Sequence, residues 1–201
     1  MIKSDLAKLK HLRADSFAGS NYAFVSYDVA QILDRAIGLV GPMTVTSAYR
    51  PADYGSMHRL GYALDVRPLQ VSLWRAVKAL YFSGARRIGI SPDLNIIHID
   101  TGNLHGRARA PYYFLEITKN GRGTDAGSLL SNISTVEKYI YRESMDTVKF
   151  FKDQLFAELR GNAPTYPAYG WTEFFSTVKR GNVAAVAIPV AAVFLLSGVA
   201  R

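Results

Sequence analysis

Residues 86–100, RRIGISPDLNIIHID, limit the possible fold more than any other stretch of the chain. RRIGI (86–90) and NIIHID (95–100) are short, rich in β-branched residues and joined by the turn-forming SPDL, so they read as two strands. Successive side chains on a strand point to opposite faces. Ile97 and Ile99 therefore enter a core, while His98 and Asp100 share the other face. A sheet with one apolar face needs a helical layer against it, and the flanking sequence supplies one.

Upstream, Ser26 can cap a helix that begins SYDVAQILDRAIGLVG. Val29, Ile32, Leu33, Ala36, Ile37 and Val40 make one apolar stripe at helical spacing, and Gly41-Pro42 stops it. MTVTSAY (43–49) has strand composition, RPADYGSMH is a loop, and YALDV (62–66) alternates like a short strand. Leu64 and Val66 point one way on it and Asp65 the other. Residues 71–83 form an amphipathic helix with Leu73, Val77 and Leu80 on one side, ended by Gly84. Helix, strand, strand, helix, strand, strand predicts a small α+β domain with a largely antiparallel sheet and flanking helices over residues 1–119. NGRGTDAGS (120–128) has linker composition. A long helix is expected over 135–159, with Val136, Ile140, Val148, Phe151 and Leu155 as its buried stripe, in a helical stalk spanning 129–180.

The two chain ends differ. MIKSDLAKLKHLRADSF lacks the uninterrupted apolar core of a signal peptide. Residues 183–199, VAAVAIPVAAVFLLSGV, are 17 residues without a charge, about 25 Å as a helix and near the short end of a membrane span. Lys179, Arg180 and Arg201 flank this run, and Pro189 is tolerable within a membrane helix. A C-terminal transmembrane helix over 181–201 is expected, with a lipid bilayer as its partner.

With no cysteine, disulfides and thiolate metal sites are excluded, so a metal would need histidines and carboxylates. The histidines are His11, His58, His98 and His105. The formal charge is +8, and residues 1–127 carry most of the excess, with 16 Lys and Arg against 10 Asp and Glu. Such a balance suits an anionic polymer: nucleic acid, an anionic membrane surface or cell-wall glycopeptide. No helix-turn-helix, zinc-finger or RNP pattern supports nucleic acid.

His58 arrives from the loop before YALDV, where Gly61 allows a tight turn. With Asp65 and His98 it makes two imidazoles and one carboxylate, a donor set common in catalytic zinc sites, with a fourth position left open. The pattern Ser56, His58, Gly61, Ala63, Asp65, followed by His98, Asp100, Thr101, Gly102, resembles the zinc D-alanyl-D-alanine carboxypeptidases and related peptidoglycan endopeptidases, which share a fold with the Hedgehog signalling domain. TSAYRP (46–51) looks like that family's Ser-x-Tyr-Arg strand end. The resemblance covers about residues 25–105. It implies that His58, Asp65 and His98 are zinc ligands, and that Arg50 holds a substrate carboxylate or a developing oxyanion. The other reading of Arg50 is a salt bridge to Asp53 or Asp65. Tyr49 and Ser56 are expected as substrate-binding wall residues.

One departure concerns the catalytic base. Many members of that family carry a Glu three residues before the last ligand histidine. Here the position is Asn95, whose amide cannot take a proton, as in the H-x-D branch of the family. Asp100 is the first candidate to replace it, the alternative being a partner that orients a histidine. Asp93 is the second candidate. His105 is expected on a solvated loop and His11 on the surface. The resulting expectation is a zinc peptidase, carboxy- or endopeptidase, that cuts peptidoglycan peptides. Without an export signal, a phage-encoded lysis or virion protein is expected, anchored in a virion or host inner membrane. The rival is a non-catalytic zinc-stabilised module that binds cell wall or another virion protein.

Overall fold

The computed structural model describes residues 6–119 and 122–162. The expected membrane segment, 181–201, and the end of the expected stalk lie outside them. Among the described residues no helix is long and apolar enough to cross a membrane.

Helix α1 (Tyr27–Val40) begins after Ser26 and ends at Gly41, whose φ of 98° is open to glycine at little cost. Strand β1 (Met43–Ser47) follows, then the loop that carries His58, β2 (Ala63–Pro68), α2 (Leu73–Phe82), β3 (Arg87–Ser91), β4 (Ile96–Asp100) and β5 (Tyr112–Lys119). These elements match the expected order as far as β4. The sheet is larger than the sequence suggested. Its six strands run β1-β2-β4-β3-β5-β6, the last being Arg122–Ser128, and the β3–β5 pair is parallel, so the sheet is mixed.

The stretch expected to be a linker contributes β6 (Arg122–Ser128), antiparallel to β5. Glycine and serine made 120–128 look flexible, but an edge strand satisfies its backbone on one side only and needs little from its side chains.

Residues 129–159 do not form a stalk. They fold back as α3 (Ile133–Ile140), α4 (Met145–Lys149), a π-helical stretch over Phe150–Leu155, and α5 (Phe156–Leu159). The single long helix is interrupted because Ser144 caps a new one, accepting a hydrogen bond from Thr147 N at 3.3 Å. The π stretch places residues five apart on one face. Phe150 with Leu155, and Phe151 with Phe156, are thereby all buried. Phe150 packs against Tyr81 (ring centroids 5.2 Å apart) and Phe151 against Trp74 (5.4 Å), so this segment covers α2 and completes the core.

Helix α2 is consequently buried nearly all round, between the sheet, α1 and the 129–159 segment. Ile88, Ile90, Ile97, Ile99, Leu64 and Val66 fill the sheet face beneath it. The N-terminal segment also packs in: Leu9, Leu12 and Phe17 are buried, and Asp34 accepts from His11 N at 2.6 Å and Leu12 N at 2.9 Å. His11 is therefore not a plain surface residue. Its ring lies against Gly38, where a Cβ would come within 2.7 Å of the imidazole Nε2.

Candidate metal centre

The face of the sheet turned away from α2 carries the polar residues. In β4 and β2, Asp65 stands opposite His98, and Ala63 opposite Asp100. In β3, Ile88 faces Ile99 and Gly89 faces His98, which puts Arg87 opposite Asp100. The alternation of NIIHID and YALDV thus delivers His98, Asp100 and Asp65 to one face.

His58 reaches the same point from the loop before β2. Ser56 Oγ accepts from His58 N at 3.1 Å, and Gly61 N donates to His58 O at 3.1 Å, closing a tight turn. Gly61 has a φ of 74°, and a Cβ there would lie 2.0 Å from Phe24 O, so no other residue fits without moving the chain that precedes α1. His58 is wholly buried. Its Nδ1 lies 2.7 Å from Ala48 O, a partner that assigns the proton to Nδ1 and leaves the Nε2 lone pair facing the site.

Three atoms converge there. His58 Nε2 lies 3.1 Å from Asp65 Oδ1 and 3.3 Å from His98 Nδ1, and His98 Nδ1 lies 2.9 Å from the same Asp65 oxygen. A tetrahedral zinc with bonds of about 2.0–2.1 Å holds its ligand atoms about 3.3 Å apart, close to this triangle. The chemistry of the donors agrees. With the His58 proton on Nδ1 and His98 hydrogen-bonded through Nε2, the three converging atoms are all lone-pair donors. Such a set is satisfied by a cation at its centre or by an extra proton on an imidazole. In the metal-free protein, burial alone would lower the pKa of His98, but its bonds to Asp100 and Asp65 outweigh this and raise it to about 9. Burial would raise the Asp65 carboxyl, yet hydrogen bonds from His58 and His98 hold it well below the usual carboxylate range. His58, Asp65 and His98 are together the group among the described residues with the spacing to hold a metal ion.

Asp100 lies behind His98. It is 3% exposed. Its Oδ2 is 3.4 Å from His98 Nε2, and its Oδ1 accepts from Arg87 Nε at 2.8 Å and Gly102 N at 2.9 Å. Burial raises its pKa, but the His98 and Gly102 hydrogen bonds and the Arg87 charge bring it below the ordinary value. Gly102 is needed for this approach, since a Cβ there would lie 3.1 Å from Asp100 Oδ1 and 2.7 Å from Met57 Sδ.

The remaining candidates lie around the rim. Arg50 Nη2 is 3.2 Å from Asp53 Oδ2 and 3.9 Å from Asp65 Oδ2, with its side chain 47% exposed, so it pairs with both acids and still faces solvent. The Tyr49 ring packs against Phe24, with centroids 4.8 Å apart. Ser56 is occupied in shaping the His58 turn. Asn95 is exposed at the turn before β4, in a left-handed conformation (φ 53°) that asparagine tolerates. Asp93 is exposed in that turn and accepts from Tyr139 Oη at 3.2 Å. His105 stacks on Tyr62 at 3.9 Å, and its Nε2 is 3.2 Å from Asp28 Oδ2 at the start of α1.

Three features of the site were not anticipated: the Ala48 carbonyl, Arg87 and the Phe114 ring. A Cβ on Gly89 would fall 2.3 Å from Phe114 Cζ. The glycine thus lets the ring lie on the sheet beside His98, 5.9 Å between centroids. An isolated glycine inside a strand is the signal that marked this close approach.

A scan against protein-family models, a search of curated proteins and a search of solved structures each found no match to this chain.

Proposed function

We propose that the protein is a zinc metallopeptidase that hydrolyses peptide bonds of peptidoglycan. The observation that carries this reading is the convergence of His58 Nε2, Asp65 Oδ1 and His98 Nδ1, with sides of 2.9–3.3 Å, on one face of the sheet. His58, Asp65 and His98 would hold the ion. Zinc in such a set supplies Lewis acidity, polarising a carbonyl and making water a nucleophile near neutral pH.

The protein's own groups do the rest. Ala48 O fixes the His58 tautomer, and Asp100 fixes His98 by accepting at Nε2. Carboxylate or carbonyl partners of this kind orient metal-bound histidines. Arg50 is partly exposed beside Asp65 and is the cation available to a substrate carboxylate or a developing oxyanion. The engagement of both Asp100 oxygens favours the orienting role over that of general base. Residues 183–199 would attach the protein to a bilayer, and its positive charge suits an anionic wall polymer.

The non-catalytic module remains the second reading, and the same geometry favours it: Asn95 is an amide and Asp100 is already engaged. Digestion of purified, cross-linked peptidoglycan by the full-length zinc-loaded chain, with mass spectrometry of the fragments, separates the two. The expected result is new peptide termini that disappear on chelation. Stoichiometric zinc without cleavage would select the binding module, and absence of zinc binding would remove both readings. Asp100→Asn is expected to lower zinc affinity roughly 10–100-fold, with hydrolysis restored by excess zinc. Hydrolysis that stays lost at saturating zinc would return Asp100 to the role of base.

A further inference from the structure

We infer that Arg87 is a positioning residue of the metal centre, acting on His98 through Asp100. This rests on the metal-site reading above. Arg87 sits on β3 opposite Asp100, on the face that carries His98. Its Nε donates to Asp100 Oδ1 at 2.8 Å, and Gly102 N donates to the same oxygen at 2.9 Å. With Oδ1 held twice, Oδ2 is the atom turned to His98 Nε2.

Arg87 is itself held in two further ways. Its Nη1 donates to Arg109 O at 2.6 Å, and its guanidinium lies 4.9 Å from the centre of the Tyr112 ring. Tyr112 is placed by the parallel β3–β5 pairing, which sets it beside Arg87 in register. The guanidinium is thus used for its shape. One plane supplies an Nε–H to the carboxylate, an Nη–H to a carbonyl and a face to an aromatic ring. A lysine carries the same charge but offers no planar fork and no stacking face.

Stability alone is a poor reason for this pair. The Arg87 and Asp100 side chains are 14% and 2% exposed, and buried ion pairs often contribute little net stability compared with apolar residues of the same size. What the pair does supply is a fixed direction for Oδ2. A purely structural role, tying the 101–112 segment to the sheet, would change melting temperature without reaching the metal.

The test compares full-length wild type, Arg87→Met, Arg87→Lys and, as a distant ion-pair control, Lys78→Met. Zinc affinity is read by competition with a chromogenic chelator. Solvent exchange of the His98 Nε2 proton is read by NMR in the metal-free chain. Arg87→Met is expected to weaken zinc binding roughly 10–100-fold and to speed exchange of that proton. Arg87→Lys should recover only part of either effect, and Lys78→Met should move neither. In an Asp100→Asn background, Arg87→Met should add little, because both act through one carboxylate. Zinc affinity within about twofold of wild type in Arg87→Met, or an equal loss in Lys78→Met, would overturn the assignment. If Arg87→Met does not fold, Tyr112→Ala, which removes the stack alone, should shift the same two readouts in the same direction, and no shift there would overturn it. Should the wild type take no zinc, the metal reading fails, yet the proton-exchange comparison still decides whether Arg87 fixes His98.

Discussion

Two buried polar clusters lie on opposite faces of the same sheet, and they are built on different principles. On the helical side, the cluster is held by pairs in which a donor meets an acceptor. Lys78 pairs with Asp146, Tyr81 Oη donates to Glu158, and Gln154 Nε2 donates to Tyr81 Oη at 2.9 Å. On the other face, His58, Asp65 and His98 turn acceptor atoms toward a common point, while the outer ring nitrogens of the two histidines are held from behind by Ala48 O and Asp100. The first cluster joins the 129–159 helices to α2. The second is completed either by a cation at its centre or by an extra proton on an imidazole. Burial of polar groups therefore does not mark function by itself. The convergence of acceptor atoms on one point is what supports the proposed metal site.

Substitutions on the two faces should consequently read out on different instruments. The largest contrast is expected from His58→Ala, which should reduce zinc from one per chain to background by elemental analysis. Zinc retained at full occupancy would mean that the convergence is not a metal site. Phe150→Ala, on the helical side, should cost about 3–5 kcal/mol in urea unfolding, the usual range for truncating a buried aromatic, with zinc stoichiometry unchanged. If stability holds, the 129–159 segment does not complete the core.

Asp146→Ala leaves Lys78, 1% exposed, without this carboxylate and should cost about 1–3 kcal/mol, less than a fully buried pair because Asp146 is partly open to solvent. Lys78→Met should cost less than Asp146→Ala. The reverse order would show that the ion pair holds the helices by attraction rather than by filling space.

The smallest effect concerns pH. Tyr81 is pushed up to about 12 from an ordinary 10.0, first by burial and then by its hydrogen bond to Glu158. Its folded value lies above its unfolded one, so the neutral phenol's contribution is present below about pH 10 and is lost as pH rises through 12. Tyr81→Phe should therefore flatten the alkaline fall in urea midpoint between pH 10 and 12 by about 1 kcal/mol, after allowance for solvent screening. Tyr113, also raised by burial, will keep part of that fall. An unaltered slope would place the alkaline sensitivity elsewhere.

Local pattern was enough to single out the three converging residues. Strand parity in NIIHID and YALDV assigns His98, Asp100 and Asp65 to one face whatever the strands pair with, and Gly61 marks the turn that brings His58 in. Parity could not say whether Asp100 turned toward the open site or toward the back of His98. That depends on which residue of the neighbouring strand stands beside it, and register between strands is not encoded within either one. Within its own stretch Arg87 is only one of two adjacent arginines at a strand start, and its partner Asp100 belongs to the neighbouring strand. Composition misread 120–128 as a linker, because glycine and serine describe a chain's freedom in isolation and not the partner strand that removes it.

The sequence by itself determined the alternation of core and polar residues, the stops of α1 and α2, and the donor types a metal would have to use. These depend on neighbours a few residues apart, where covalent geometry fixes which side chains share a face. Tertiary structure alone decided the rest: the parallel β3–β5 pair that seats Tyr112 beside Arg87 and Phe114 over Gly89, the Ala48 carbonyl that assigns the His58 tautomer, and the return of 129–159 onto α2. Each of these joins residues far apart in the chain, and their mutual distances follow from packing the whole core, which no local stretch specifies.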